Sequence, residues 1–225
     1  MPANAIIENN HTERINVESM RKSDIVDDNV RPRRNIGLFQ KRQMQIIKTA
    51  TKLFMKNGYA QTSMREISKA TGIDIRNLYY FIKSKEEILF LVMEMIHKPE
   101  LELFEKLEVM KIDDPIKQLK TVIRGLINPS KEKEVLLLYR ESKSLPKRLL
   151  KIILARESQV VSHIEEILKK GVARKVFRPQ DTSFTANMII YELSLRALRN
   201  WNLKKYSKER LINLMEKHIM KAVMI

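Results

Sequence analysis

The sequence predicts an all-α protein, and three observations support this. Glycine and proline, on which turns depend, number only 5 and 7 among 225 residues. Apolar side chains recur at helical spacing, as in Ile46, Ala50 and Phe54. The breaks between these segments carry residues that cap helices, such as Ser63 and Asp74. We therefore expect helices throughout the folded part of the chain.

The composition narrows the class of protein. There is no cysteine, which excludes disulfides, thiolate metal sites and a cysteine nucleophile. The four histidines share no metal-ligand spacing, so we expect no metal and no cofactor. The longest apolar runs, such as Val135–Leu138, are too short to span a membrane. The N-terminus has no signal-peptide pattern, so we expect a cytoplasmic protein.

The charge favours a polyanionic partner, either nucleic acid or an anionic membrane surface. The net charge is +16, with 43 basic and 27 acidic residues. Residues 38–98 carry eleven basic against five acidic side chains, whereas residues 1–37 are neutral overall. Residues 1–37 also lack a sustained apolar period, which predicts a disordered N-terminal extension. The alternative interpretation of the positive charge of residues 99–225 is that it simply belongs to the solvated surface.

Residues 38–84 predict three helices with a tight turn between the second and the third. The first helix ends at Asn57-Gly58. Ser63 and Glu66 have the spacing of a capping box and open the second helix, which Thr71-Gly72 ends. Asp74 caps a third short helix that reaches about Ile82. Ser84 and Glu87 form a second capping box and open a long fourth helix.

The second and third helices predict a helix-turn-helix, which places its second helix in the major groove of DNA. Ile73, Leu78 and Ile82 give the third helix an apolar back. Arginine and asparagine can each bind a base edge through two hydrogen bonds, and tyrosine hydroxyls can bind phosphates. A helical hairpin that binds protein is the alternative. The side chains predicted to face outward are Arg76, Asn77, Tyr79 and Tyr80.

Residues 85–225, which follow the three-helix unit, predict a bundle of about six helices. Asp114-Pro115 has the N-cap and N1 pattern, and Gly171 is expected to end the longest run, Lys147–Lys170. The last two predicted helices cover residues 181–200 and 207–222. The other expected boundaries lie at Pro99, at Asn128-Pro129-Ser130, at Leu145-Pro146, and at the caps Asp181 and Ser207.

The segment Ile46–Met93 resembles the DNA-binding domain of TetR/AcrR-type bacterial transcription regulators. The resemblance implies a homodimer that reads a palindromic operator, with its interface on the last two helices and its ligand site in residues 85–225. The matching residues are Ala50, Leu53-Phe54, Gly58-Tyr59, Thr62-Ser63, Ile67, Gly72, Leu78-Tyr79 and Ser84-Lys85-Glu86-Glu87.

Carried over by position, the resemblance implies two kinds of DNA contact. Phosphate contacts are expected from Tyr79, Lys85, Thr62 and Ser63. Base contacts are expected from Arg76, Asn77 and Tyr80. Arg76 stands where the family usually has glycine, and it reaches either a base or a phosphate. The full set of expected DNA-binding residues is Thr62, Ser63, Arg65, Arg76, Asn77, Tyr79, Tyr80 and Lys85.

The segment Tyr139–Lys147 resembles the acyl-CoA-responsive branch of this family, which controls fatty-acid, sterol or aromatic-acid degradation. A CoA thioester needs cations for its phosphates and an apolar tunnel for its acyl group. Two alternatives apply to the candidate residues: the arginines form ion pairs with Glu141 or Glu157, and the apolar side chains pack in an ordinary core. The expected ligand-binding residues are Tyr139, Arg140, Arg148, Ile152, Arg156, Met188 and Tyr191.

Together these observations predict a ligand-responsive repressor that binds DNA as a homodimer and is released by a small molecule. The alternative is a regulator of the same fold that responds to a different hydrophobic ligand or to none. The chain carries no G-x-S-x-G motif and no glycine-rich phosphate loop, so we do not expect an enzyme. A protein bound to membranes by basic helices would leave the capped helix-turn-helix unexplained.

Overall fold

The computed structural model describes residues 36–106, 109–127 and 131–225. Within these ranges the chain is helical almost throughout. The β-type pairing in these ranges is an isolated antiparallel bridge between Phe177 and Met224. The all-α prediction is therefore confirmed. Residues 1–35 of the expected extension and the break at Asn128-Pro129-Ser130 lie outside the described residues.

The described helices follow one another with short connections. Two 3₁₀ turns, Val109–Lys111 and Ser142–Ser144, lie between them. The helices are α1 (Ile36–Asn57), α2 (Met64–Thr71), α3 (Ile75–Phe81), α4 (Lys85–Lys106), α5 (Pro115–Leu126), α6 (Glu132–Glu141), α7 (Lys147–Ala173), α8 (Thr182–Leu193), α9 (Leu195–Leu198), α10 (Asn200–Leu203) and α11 (Lys208–Val223).

Most helix ends lie where the caps predict them. Gly58 has a φ of +89° and its N–H donates to the carbonyl of Phe54 at 3.0 Å, which ends α1. The carboxylates of Asp114 and Asp181 cap α5 and α8, and the hydroxyl of Ser207 caps α11. Helix ends of this kind can be predicted from the sequence because the caps involve only neighbouring backbone groups.

Three boundaries differ from the prediction. Helix α4 runs through Pro99 to Lys106. Gly171 does not end α7; it lies buried inside the helix, and the ring of Phe177 packs against the place where a Cβ would stand. The expected helix over residues 181–200 is divided into α8, α9 and α10, because the Ser194 hydroxyl donates back to the carbonyl of Ile190 and the Arg199 backbone is not helical.

Helix α4 is the central element of the fold, since it packs against α5, α6 and α7. Helix α7 also packs against α5 and α8, and α11 packs against α5 and α8. Two hydrophobic cores result. The first joins α1–α4 to Leu137 and Leu138 of α6, Leu145, and Ile153 of α7. The second lies among α4, α5, α7, α8 and α11.

No helix in the described ranges is long and apolar enough to span a membrane.

Candidate nucleic-acid interface and effector cavity

Helix α2 begins with the capping box that the sequence predicts. The N–H of Glu66 donates to the Ser63 hydroxyl at 3.2 Å, and the N–H of Ser63 donates to the Glu66 carboxylate at 2.7 Å. This backbone hydrogen bond, together with one from the Ser63 hydroxyl, lowers the pKa of Glu66. Two amides at the start of α2 are therefore satisfied, which fixes where this helix starts.

The turn between α2 and α3 is held by side-chain hydrogen bonds. Gly72 has a φ of +70°, a conformation in which a Cβ is strained. The Ser68 hydroxyl donates to the carbonyl of Ile73 at 2.7 Å, which ties the end of α2 to the turn. Asp74 then accepts the N–H of Arg76 at 2.9 Å and starts α3. Hydrogen bonds within the motif thus hold the turn between the two helices.

Helix α3 presents one buried and one exposed face. Leu78 is fully buried in the first core, and Ile75 packs partly against it. Tyr79 and Tyr80 are 49% and 63% exposed, although tyrosine is a large, mostly apolar residue. Arg76 and Asn77 are exposed beside them. The structure therefore brings all four predicted side chains to one polar surface of this helix.

Two expected phosphate contacts have other partners in this structure. Thr62 is 1% exposed, and its hydroxyl donates to the carbonyl of Gly58 at 2.8 Å. The Thr62 side chain faces the protein interior rather than a phosphate. Its hydrogen bond stabilises the loop before α2. The Lys85 ammonium donates to the carbonyls of Tyr59 and Ala60 at 2.9 and 3.3 Å. Lys85 thus joins α4 to the loop that follows α1.

The contact between Lys85 and Tyr59 continues into the start of α4. The ammonium lies 4.4 Å from the centre of the Tyr59 ring. Burial, and secondarily the Glu86 carboxylate, raise the pKa of Tyr59. The second predicted capping box is half present: Ser84 accepts the N–H of Glu87, but the Glu87 carboxylate accepts the N–H of Lys83 at 2.6 Å instead of that of Ser84.

The surface around the motif is basic. Exposed side chains of Arg65 and Lys69 lie on α2, with Arg76 on α3 and Lys83 just before α4. Ser63 is exposed at the N-terminus of α2, although its hydroxyl already belongs to the capping box. Such a surface suits a phosphate backbone, with the side chains of α3 available for base edges.

The seven expected ligand-binding residues do not converge on one site. Met188 and Tyr191 are half exposed on the outer face of α8, next to Phe184 at helical spacing. Arg156 forms an ion pair with Glu94 at 2.5 Å rather than with Glu141 or Glu157.

Tyr139 lies beside Tyr191, with the two ring centroids 6.5 Å apart in a T-shaped arrangement, and the other expected residues have different neighbours. The Tyr139 hydroxyl donates to Ser194 at 3.3 Å, and burial raises its pKa. Ile152 packs against the first core, while Arg140 and Arg148 are exposed. Apart from the pair of Tyr139 and Tyr191, these side chains face different neighbours, and their role in ligand binding stays a prediction.

A different cavity lies among α4, α5, α6, α8 and α9. Its volume is about 100 Å³. Its apolar wall contains Met95, Ile96, Leu126, Val135, Ile190 and Leu193. Charged and polar groups stand at the same cavity: Glu100, Lys131, Glu132, Ser194 and Arg196. None of the seven expected ligand residues lines it.

The charged pair in this cavity escaped the sequence analysis. Arg196 of α9 and Glu132 in the first turn of α6 form an ion pair, although 64 residues separate them. Asn200 also donates to the second carboxylate oxygen of Glu132 at 2.9 Å. No local pattern predicts this pairing. Among the described residues, no three His, Asp or Glu side chains are grouped so as to bind a metal ion.

Two family models match this chain. The model of bacterial regulatory proteins of the tetR family matches residues 46–92, and that of the tetracyclin repressor-like C-terminal domain matches residues 113–197. Together they match more than half of the chain. The chain belongs to the TetR family. As a TetR-family protein it is a transcription regulator of the helix-turn-helix class that binds DNA, as the sequence predicts.

Other TetR-family regulators are similar along most of the chain. The HTH-type transcriptional regulator HbdR of Aromatoleum sp. (strain CIB) is 26% identical over 190 residues, which are 80% of this chain and 81% of HbdR. The fold is similar to the crystal structure of PfmR from Thermus thermophilus, with a TM-score of 0.68, 22% identity, and coverage of 77% and 94% of the two chains.

A second solved structure is AibR in complex with isovaleryl coenzyme A and operator DNA. Its TM-score is 0.66 and its identity 24%, and the match covers 81% of this chain and 98% of AibR. At this identity the likeness establishes the TetR fold.

Proposed function

We propose that this chain is a homodimeric repressor that binds a palindromic operator through α2 and α3 and leaves it when a small molecule binds. The observation that carries this proposal is the surface of α3, where Arg76, Asn77, Tyr79 and Tyr80 are exposed around the buried Leu78. A helix in the major groove needs such polar side chains on one face and an apolar back.

We assign different roles to the exposed side chains. Arg76, Asn77 and Tyr80 contact base edges, since arginine and asparagine can each form two hydrogen bonds with a purine. Tyr79 and Ser63 contact phosphates and set the position of α3 on the duplex. Arg65 and Lys85 add positive charge at the DNA backbone. Residues 38–84 are the DNA-binding domain, and residues 85–225 bind the ligand and the second copy.

The dimer forms through α8 and α11. Phe184, Met188 and Tyr191 make an exposed apolar stripe along α8, and Leu214 is exposed on α11 beside it. Patches of this kind on a regulator are most simply covered by a second copy, which pairs the same face with itself. Two copies joined in this way present two α3 helices to successive major grooves, about 34–36 Å apart.

The effector occupies the cavity among α4, α5, α6, α8 and α9, and we propose an acyl-CoA thioester as its class. The apolar wall suits an acyl group, and the volume of about 100 Å³ admits only a short one. A cavity of about 150 Å³ in another protein holds benzene, which sets the scale. The isovaleryl-CoA complex of AibR, a TetR-family protein of the same fold, supports this class.

Fluorescence anisotropy tests the proposal. The full-length protein is titrated onto labelled DNA from upstream of its own gene, with a scrambled duplex of the same length as the control. CoA thioesters and the matching free acids are then added to the complex. Release by one thioester supports the whole proposal. Specific DNA binding that no thioester reverses excludes an acyl-CoA as the effector. Equal affinity for the scrambled duplex excludes sequence-specific operator binding.

A further inference from the structure

The ion pair between Glu132 and Arg196 stands at the wall of the cavity and ties two separate elements together. Glu132 lies in the first turn of α6, and Arg196 lies on α9. Their side chains are only 23% and 21% exposed. Asn200 of α10 holds the other oxygen of Glu132 at 2.9 Å, and Arg196 also donates to the carbonyl of Tyr206 at 3.4 Å.

A charged pair in this position limits what can enter the cavity. A guanidinium that is largely withdrawn from water needs a counter-anion, because an unpaired buried charge is strongly unfavourable. A neutral ligand that separated Glu132 from Arg196 would leave both charges unpaired. A ligand that carries its own oxyanion replaces the carboxylate and keeps the guanidinium paired.

We propose that Glu132 is the resident counter-ion of Arg196 in the absence of the effector. When the effector enters, its own oxyanion forms the ion pair with Arg196 and displaces the Glu132 carboxylate. The inference rests on the proposed function in one respect, namely that the effector binds in this cavity. The oxyanion is a carboxylate or a phosphate. A short free acid supplies the first and the CoA moiety supplies the second.

The exchange is connected to the DNA-binding helices through α6. Glu132 anchors the first turn of α6 to α9 and α10, whereas Leu137 and Leu138 of the same helix lie in the first core with α1–α4. The two places are separated by about 9 Å along one rigid helix. Displacing Glu132 therefore frees one end of an element whose other end packs against the DNA-binding unit.

The test compares the wild type with Glu132→Gln, which removes the charge but keeps the shape and an oxygen that accepts from Asn200. Isothermal titration calorimetry measures the affinity of each protein for four probes: isovalerate, isovaleramide, isovaleryl-CoA and CoA. Trp201 provides a second readout, because it is the single tryptophan of the chain and directly follows Asn200. Far-UV circular dichroism establishes that each variant is folded.

We expect Glu132→Gln to bind an anionic probe about tenfold more tightly than the wild type does, because the probe no longer competes with a carboxylate. The affinity for isovaleramide should change less than twofold. A gain for isovalerate assigns a carboxylate, and a gain for isovaleryl-CoA and CoA but not for isovalerate assigns a phosphate. Asp113→Asn is the matched control, since it removes a carboxylate that pairs with Arg174 and does not line the cavity.

Three results overturn the inference. The first is an anion affinity that Glu132→Gln leaves unchanged, including the case in which neither protein binds any probe. The second is an equal gain for isovaleramide, and the third is an equal gain in Asp113→Asn. The proposed function is judged separately by release from DNA. If Glu132→Gln binds an anionic probe more tightly but the probe does not release the protein from DNA, the effector-controlled repressor is refuted and the counter-ion role of Glu132 is retained.

Discussion

Replacing Gly171 with alanine tests whether the close contact with Phe177 holds the end of α7 in place. An added Cβ would stand 1.9 Å from Cδ2 and 2.3 Å from Cε2 of the Phe177 ring. Favourable carbon contacts lie near 3.5–4.0 Å, so the ring or the helix must move by about 1.5 Å. Phe177 is fully buried, and its N–H donates to the carbonyl of Gly171 at 3.1 Å.

Two opposing effects decide the sign. Alanine is better than glycine inside a helix by about 1 kcal/mol. Overpacking a well-filled core costs about 1–3 kcal/mol, and an overlap this large with a pinned ring belongs at the upper end of that range. We therefore expect Gly171→Ala to lower the free energy of unfolding by about 2 kcal/mol. For a chain of this length that corresponds to a fall in Tm of about 4–8 °C.

The assay is urea unfolding followed by circular dichroism, with Gly125→Ala as the control. A Cβ at Gly125 would approach two methyl groups of Leu103 at 2.6 Å, but those methyls are the end of a flexible side chain. Gly125→Ala should stay within about 1 kcal/mol of the wild type. In a Phe177→Leu background the cost of Gly171→Ala should shrink, because the two positions are coupled. A Gly171→Ala protein as stable as the wild type would refute the reasoning.

Further predictions concern the DNA contacts, the dimer and pH. Tyr79→Phe should weaken binding to operator and scrambled DNA alike, because it removes a phosphate contact, whereas Asn77→Ala and Arg76→Ala should alter discrimination at the contacted base pair by ~1–3 kcal/mol; equal losses on both duplexes for all three variants would contradict this division. Phe184→Glu should give monomers in sedimentation velocity, and an unchanged dimer would exclude α8 from the interface. The Arg174 hydrogen bonds lower the pKa of Asp113 from 3.8 to about 2, so the stability they supply is present above pH 3.8 and is lost as the pH falls through about 2. Asp113→Asn should lack this loss in acid unfolding curves.

The DNA-binding unit could be predicted from the sequence because its signals are local. The capping box of Ser63 and Glu66 and the αL turn at Gly72 involve residues a few positions apart. Such patterns fix helix ends before any packing is known. Leu78 faces the core, and Asn77 and Tyr79 lie about 100° to either side of it around the helix, so a helical projection already places them toward solvent.

Sequence reasoning failed where packing between distant helices decides the outcome. Gly171 has the appearance of a helix stop, but the Phe177 ring makes it an interior position of α7. Met188 belongs to an apolar stripe on α8, and nothing in that periodicity says whether the stripe faces a ligand, the core or a second copy. Arg156 looked suited to a phosphate, yet α4 supplies Glu94 as its partner.

The same distinction explains how a ligand signal can reach DNA in this fold. The caps and the turn hydrogen bonds fix α2 and α3 locally, so an effector need not deform the motif itself. It needs only to shift the elements on which the motif rests, namely α4 and the Leu137–Leu138 end of α6 in the shared first core. A packed core passes on such a shift because it has no voids to absorb it. Ile96 of α4 and Val135 of α6 both line the cavity, so the effector that we propose there would contact two helices that pack in the first core. Under the proposed function, effector binding and operator binding are linked through α4 and α6, and each weakens the other by the same factor.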